Sequence, residues 1–211
     1  MATNYGNAFH SPDQKTYPGS VVPVWLEVKE RKTAGGTFDI SGYKKGDIIP
    51  AGIAVRLDKM GGTATILPTF TVAEAVSSAA TSLVLKANGI APAKDMVVGK
   101  MTAAGQVAKA VTLGVPTYDA TAKTYTFTIS ANTLGELAVG DILVIASEAG
   151  SSVSAVLPNG LSWRQVVIDS ENATVGTVAV VTKGQVLADR IPAMPEFYKA
   201  AMPGITFEYE A

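Results

Sequence analysis

The sequence contains no cysteine, a single histidine and nearly equal numbers of acidic and basic residues. The lack of cysteine excludes disulfides, thiol catalysis and thiolate metal sites. A Ser-His-Asp triad or a histidine-ligated metal would have to use His10, which lies in a polar, turn-rich segment near the N-terminus. The 17 basic and 18 acidic residues give a net charge of −1, which argues against a general affinity for nucleic acid or anionic membranes. The one basic run, KERK at 29–32, contains a glutamate and indicates the solvated end of a strand.

Sequence motifs for catalysis or cofactor binding are also absent. The 18 acidic residues are scattered and form no Asp-x-Asp-x-Asp calcium loop, and the glycine-rich stretches AGGTFDISG and KMGGTA lack phosphate-binding patterns. Two carboxylates distant in the sequence could still meet in the fold, as glycosidases require. We predict a protein that is not an enzyme and that binds no metal and no cofactor.

Long apolar runs are missing as well. No segment approaches the roughly 18 uninterrupted apolar residues of a membrane-spanning helix. The first 20 residues lack the basic and apolar regions of a signal peptide. The sequence therefore predicts a chain that is made in the cytoplasm, remains soluble and does not enter a membrane.

The residues that are present favour β-structure. The chain has 211 residues and is 47% hydrophobic, which is enough for a substantial core. In the segment VVPVWLEVKE, alternation places Val24, Leu26 and Val28 on one aliphatic face of a predicted strand. In YDATAKTYTFTIS, a polar turn precedes Tyr125 and Phe127, which alternate with threonines as in a half-buried strand.

Helices are predicted at few positions. The segments TVAEAVSSA at 71–79 and SANTLGELA at 130–138 favour short helical pieces, the first because Thr71 and Glu74 have capping-box spacing. Near the C-terminus, Pro195 suits the first turn of a short helix that Pro203 and Gly204 would end, leaving ITFEYEA as a terminal strand. The predicted fold is mainly β with one short C-terminal helix.

The strand pattern divides the chain into three parts. Residues 1–20 form a polar arm without a periodic apolar face. Residues 21–68 and 153–211 have the same character and predict a small β-barrel or β-sandwich base domain built from both chain ends. Residues 69–152 have their own turns and strands and predict a second β domain inserted into the first.

One phrase, a glycine and a polar residue followed by two aliphatic residues, recurs along the chain. It occurs in KKGDIIPAG at 44–52, AVGDILVIA at 138–146 and TKGQVLADR at 182–190, with an echo in DMVVGKM at 95–101. Gly46, Gly140 and Gly184 are predicted to give turns their backbone freedom. The aliphatic residues that follow are predicted to begin strands that are covered on both faces.

Aromatic and methionine side chains supply the candidate binding surfaces. In the arm, spaced aromatics could contact a partner, with a frayed terminus as the alternative; they are Tyr5, Phe9 and Tyr17. Near the C-terminus, an apolar cluster suits either a subunit interface or burial within the same chain; its members are Phe197, Tyr198, Met202 and Phe207. Three further rings are candidates for stacking on a carbohydrate, although tryptophan in a strand also suits a core; they are Trp163, Tyr118 and Tyr125.

Three segments resemble the head-decoration and head-fibre-base proteins of tailed bacteriophages. They are GDIIPAGIAVRLD near the start, VGTVAVVTKGQVLADRIP late in the chain and FYKAAMPGITFEYEA at its end. The resemblance covers about residues 36–67 and 174–211. It implies a structural virion protein that binds the outside of an icosahedral capsid and cements neighbouring capsomers, commonly as a trimer.

The resemblance also implies a partner and a role for each part. The partner would be the major capsid protein, and residues 1–20 would be the arm that contacts it on the virion surface. The base domain would include Gly184, Val186, Pro203, Gly204 and Ile205. The unit at 69–152 departs from a minimal decoration protein and suggests an outward, fibre-like or adhesive domain. From the residues alone, a carbohydrate- or surface-binding β module is the alternative function.

Overall fold

A computed structural model of the protein describes residues 24–40, 43–58, 60, 62–130, 133–169 and 175–210. The strands, in chain order, are β1 (Trp25–Asp39), β2 (Ile48–Ile49), β3 (Ala54–Leu57), β4 (Ala64–Ile66), β5 (Thr69–Val72), β6 (Ser82–Ala87), β7 (Val97–Ala103), β8 (Gln106–Thr112), β9 (Thr117–Asp119), β10 (Thr124–Thr128), β11 (Ile142–Ile145), β12 (Gly150–Ser154), β13 (Gly160–Ser162), β14 (Val166–Val167), β15 (Val175–Leu187) and β16 (Ile205–Glu208). A 3₁₀ turn (Ala188–Arg190) and the helix α1 (Glu196–Ala200) precede β16. The prediction of a mainly β fold with a short C-terminal helix is confirmed.

Strands from both ends of the chain form a small barrel. Strands β1, β15, β13, β3 and β4 lie side by side in this order, and β16 pairs in parallel with β15. Thr37 of β1 forms a bridge with Thr63, just before β4, and its N–H donates to the carbonyl of Gly62 at 2.9 Å. This bridge joins the first strand to the last and closes the sheet. One side of the sheet packs around a buried cluster that includes Phe38 and Val55.

The ladder between β1 and β15 is long and irregular. Its register shifts at four places, between Trp25 and Glu27, between 28 and 30, between 30 and 31, and between 32 and 36. Each shift changes which side chains face the core. Leu26 and Val28, two residues of the predicted aliphatic face, are 57% and 36% exposed. The basic run at 29–32 lies in the middle of β1 and not at the end of a strand.

The eight-stranded sheet is built from the central part of the chain. Its order is β12-β8-β7-β11-β5-β6-β10-β9, and it has its own buried cluster, including Phe70, Leu83 and Phe127. The two predicted helical pieces are absent from the described residues of this region. Instead Val76 and Leu137 exchange two backbone hydrogen bonds of 2.9 Å. Long-range pairing thus satisfies backbone groups that local propensity had assigned to helices.

The barrel and the eight-stranded sheet share a third hydrophobic cluster. It contains side chains of the barrel sheet, of the eight-stranded sheet and of the α1 region, among them Leu161, Val144 and Tyr198. The chain leaves the barrel between β4 and β5 and returns between β12 and β13. The predicted boundary after residue 68 lies in the first connection, and that after residue 152 lies inside β12. The division into a base domain and an inserted domain stays a prediction.

The first copy of the recurring glycine phrase is a hydrogen-bonded turn. The N–H of Lys44 donates to Asp47 Oδ2 at 2.7 Å, and the N–H of Asp47 donates back to the Lys44 carbonyl at 2.9 Å. Gly46 has a φ of +94°, which favours glycine. Outside the turn, the Gly46 N–H donates to Ile168 O and the Ile168 N–H donates to Asp47 O. The turn is therefore fastened to the residue after β14, and β2 follows it.

The second copy repeats these contacts. The N–H of Ala138 donates to Asp141 Oδ2 at 2.9 Å, and the N–H of Asp141 donates to the Ala138 carbonyl at 3.1 Å. Gly140 has a φ of +90°, and it and Asp141 exchange backbone bonds with Val72 in the same way. The prediction of a turn followed by a strand is confirmed at Gly46 and Gly140. The prediction that both faces of the strand are covered is wrong at β2, because Ile48 is 39% exposed.

The echo at 95–101 has the same backbone pattern with other side chains. Asp95 occupies the glycine position with a φ of +68°, and its N–H donates to the carbonyl of Leu113. The N–H of Leu113 donates to Met96 O, and the N–H of Met96 donates to Ala93 O. Gly184 differs, because it lies inside β15 and not in a turn. The recurring phrase is thus one turn used three times, and its copy at 182–190 is a false match.

Candidate functional site

The first half of β1 exposes two apolar side chains on the barrel wall. We call residues 25–32 the β1 edge, because among the described residues this stretch pairs with β15 alone. Leu26 and Val28 project from it into solvent. It follows directly on the N-terminal part of the chain.

Charged side chains surround Leu26 and Val28. Within residues 25–32 the basic residues are Lys29, Arg31 and Lys32 and the acidic ones are Glu27 and Glu30. Lys29 pairs with Glu27 at 3.3 Å and Lys32 with Glu30 at 3.6 Å. Lys183 Nζ lies 2.9 Å from Glu30 Oε2, and this hydrogen bond and charge lower the pKa of Glu30. The pair is exposed, so it contributes little to stability. With three basic and two acidic residues, the β1 edge has a net charge of +1.

Trp163 is stacked within its own chain. The guanidinium carbons of Arg31 and Arg164 lie 3.5 and 3.8 Å from the centroid of its ring. The Trp25 indole N–H donates to the Trp163 carbonyl at 2.9 Å, which ties β1 to the end of β13. Because arginine side chains already cover the Trp163 ring, the prediction of Trp163 as a carbohydrate platform is not supported by its surroundings.

Tyr118 and Tyr125 come together on the edge of the eight-stranded sheet. They are direct partners across β9 and β10, with ring centroids 4.7 Å apart and planes inclined by 35°. Tyr118 is 52% exposed, whereas Tyr125 is half-buried. Burial raises the pKa of Tyr125, and the neighbouring Tyr118 adds to the effect. Of the three predicted stacking rings, these two form a shared surface that is open to solvent.

The predicted C-terminal interface divides into buried and half-buried residues. Tyr198 and Met202 are 0% and 2% exposed and belong to the hydrophobic cluster shared by the two sheets. They are therefore core residues of this chain, which corrects their assignment to a subunit interface. Phe197 and Phe207 are half-buried against the same cluster and keep part of their surface in solvent.

A lysine clamp on the C-terminal segment was not anticipated from the sequence. Lys199 Nζ donates to Glu196 Oε1 at 2.5 Å and to the Tyr209 hydroxyl at 2.7 Å. Burial opposes the charge of Lys199, but these two partners outweigh it and raise the pKa of Lys199. Glu196 and Lys199 are three residues apart on one helix, a spacing from which their ion pair could have been predicted. Nothing in the sequence pointed to Tyr209.

The remaining predictions concern the arm, metal binding and membrane insertion. Tyr5, Phe9 and Tyr17 lie outside the described residues. Among the residues that are described, no three His, Asp or Glu side chains group as metal ligands, and no helix is long and apolar enough to cross a bilayer. No protein-family model matches the chain, no curated protein matches its sequence, and no solved structure matches its fold.

Proposed function

We propose that the chain is a structural virion protein that binds the outer surface of a bacteriophage capsid, as a decoration protein or the base of a head fibre. The observation that carries the proposal is the β1 edge, where the apolar side chains of Leu26 and Val28 are exposed to solvent. The resemblance of residues 36–67 and 174–211 to such proteins supports it.

Attachment would use the arm and the β1 edge together. Residues 1–20 carry Tyr5, Phe9 and Tyr17 and lead into the β1 edge after a few residues. Ordering an arm on a partner costs conformational entropy, which contacts of the adjoining barrel help to offset. Several copies in one oligomer, a trimer by the resemblance, would turn weak single contacts into durable attachment. The major capsid protein is the proposed partner, and the virion surface is the proposed location.

The test is co-sedimentation of the purified chain with empty capsids of the phage that encodes it. We expect binding by the full chain, and a loss of about tenfold or more in affinity, roughly 1.4 kcal/mol, when residues 1–20 are deleted or Leu26 is changed to Glu. Val115→Glu, at a 74% exposed site beside β9, is the matched control and should bind normally. If the full chain does not bind, or both altered chains bind like it, the proposal fails. Light scattering of the same samples gives the subunit number.

The second candidate function is carbohydrate binding at the Tyr118–Tyr125 pair. It is favoured by one observation, the exposure of two adjacent rings on a sheet edge. Sugar rings stack their apolar C–H faces on such aromatics. Glycan-array binding that Tyr118→Ala abolishes, in a chain that ignores capsids, would favour this function. An array without signal would remove it.

A further inference from the structure

The chain contains two Asn-Gly pairs, Asn88-Gly89 and Asn159-Gly160. Glycine has no Cβ, so its backbone nitrogen can approach the side-chain carbonyl carbon of the preceding asparagine. Attack there forms a five-membered succinimide and releases ammonia. Water then opens the ring to aspartate or isoaspartate, and no oxidant or enzyme is needed. The two pairs have the same chemistry but different surroundings.

Asn159 is held in place on both sides. Its Oδ1 accepts from the Leu57 N–H at 2.8 Å, and its Nδ2 donates to the Leu57 carbonyl at 2.8 Å. Gly160 is a buried residue of β13 and lies opposite Val55. Strand β13 pairs with β3 on one side and with β15 on the other, which holds the backbone around Gly160 in place. Attack by the Gly160 nitrogen requires the ladder to open first.

Asn88 is held less firmly. It follows the last residue of β6 and is half-buried, and Gly89 after it is exposed and outside any strand. The Asn88 side chain makes two longer hydrogen bonds. Its Nδ2 donates to Thr69 Oγ1 at 3.2 Å, and its Oδ1 accepts from Thr71 Oγ1 at 3.1 Å. These contacts position the amide without placing either Asn88 or Gly89 in a ladder.

We propose that Asn88 is a site of spontaneous deamidation and that its conversion loosens the contact between β5 and the segment before α1. In the step, the Gly89 nitrogen bonds to Asn88 Cγ, the Cγ–Nδ2 bond breaks, and the Gly89 amide proton is lost as ammonia departs. Hydrolysis of the succinimide adds one water. The rate rises with pH, because the attacking nitrogen must give up its proton.

The consequence follows from counting protons at Thr69. Its hydroxyl donates its only proton to the Ala193 carbonyl at 2.5 Å while accepting from Asn88 Nδ2. A carboxylate at position 88 can only accept, so it competes with Ala193 for that proton. Either the Ala193 carbonyl oxygen or the carboxylate oxygen at position 88 then lacks a hydrogen bond, which costs stability at this part-buried position. The segment at 191–195, which carries buried Met194, would open more often.

The first experiment is peptide mapping by mass spectrometry of the full chain incubated at pH 8.5. Peptides KANGIAP and PNGLS serve as unfolded references and should react at similar rates. In the folded chain, position 88 should gain 1 Da at least about ten times faster than position 159, since the ratio reports local opening. Equal rates, faster reaction at 159, or no reaction at 88 while its peptide is converted would each overturn the proposal.

The second experiment tests the loosening by hydrogen exchange of Asn88→Asp. Amide exchange at 191–195 should be about fivefold faster or more than in the unaltered chain, with β13 unchanged. Asn88→Gln keeps an amide at this position and is the matched control. If Asn88→Asp exchanges like Asn88→Gln at 191–195, the loosening does not occur and that part of the proposal is wrong.

Discussion

Gly184 lies so close to Glu27 that a Cβ on Gly184 would be 2.4 Å from the Glu27 carbonyl oxygen. No side chain fits in that space, because real Cβ atoms do not approach backbone oxygens so closely. Gly184 thus allows β1 to approach β15 beside one of the register shifts in the ladder.

We therefore expect Gly184→Ala to destabilise the protein by about 2 kcal/mol or more through overpacking against a backbone atom. Gly46→Ala is the matched control. It has no atom within 4 Å of the added Cβ and has only its positive φ to oppose it, which costs about 1 kcal/mol. Urea unfolding of both variants measures the difference. A cost for Gly184→Ala below that for Gly46→Ala would contradict the steric explanation.

The recurring glycine phrase shows which features of the fold can be predicted from the sequence and which cannot. Gly46 and Gly140 were correctly assigned to turns because Gly-Asp carries a local signal, the aspartate that bonds back three residues. Gly184 is followed by Gln185 and lacks that aspartate, and its place depends on a strand more than 150 residues away in the sequence, which no local pattern records. The turns were predictable, and the close approach was not.

The candidate surfaces show the same division. The Tyr118–Tyr125 pair could be predicted, since both rings belong to one hairpin with a polar turn. The exposure of Leu26 and Val28 could not, because alternation identifies an aliphatic face but not whether another part of the chain covers it. Trp163 was predicted as a carbohydrate platform because the sequence does not show that two arginines, one of them on β1, cover its ring.

Asp141 provides a prediction on pH. Burial opposes ionisation of Asp141, but the Lys100 ammonium at 2.7 Å and the Ala138 N–H outweigh it and hold its pKa below the ordinary value of 3.8. A carboxyl with a lowered folded pKa contributes stability above its unfolded pKa and loses it as the pH falls through the folded value.

Asp141→Asn should therefore cost about 1–2 kcal/mol at pH 7, and the difference from the unaltered chain should shrink as the pH falls below 3.8. Asp47→Asn, in the equivalent turn, is the control, and Lys100→Met tests the lysine separately. Thermal unfolding across this pH range is the measurement. A constant difference at every pH would show that the charge of Asp141 has no part in it.

Ser162 carries a prediction about the barrel. Its hydroxyl donates to the Pro50 carbonyl at 2.8 Å and accepts from the Ile53 N–H at 3.2 Å, with the residue 0% exposed. Ser162→Ala leaves both backbone groups without this partner and should cost about 1–3 kcal/mol of unfolding free energy. Ser151→Ala, at an exposed position of β12, should change little. Equal effects of the two substitutions in urea unfolding would contradict this role.

Tyr198 provides a prediction in which a substitution increases the stability of the protein. Its ring is 0% exposed, and its hydroxyl is buried without a hydrogen-bond partner, so burial raises its pKa far above the ordinary value. Removing an unsatisfied buried hydroxyl while keeping the ring should stabilise the protein, and we expect Tyr198→Phe to add about 1 kcal/mol. Tyr209→Phe is the control, because the Tyr209 hydroxyl accepts from Lys199 and its loss should be neutral or slightly destabilising. Urea unfolding at pH 7 compares the two. A loss of stability in Tyr198→Phe would mean that the hydroxyl has a bound partner, such as a buried water, and that the shared hydrophobic cluster contains a polar site.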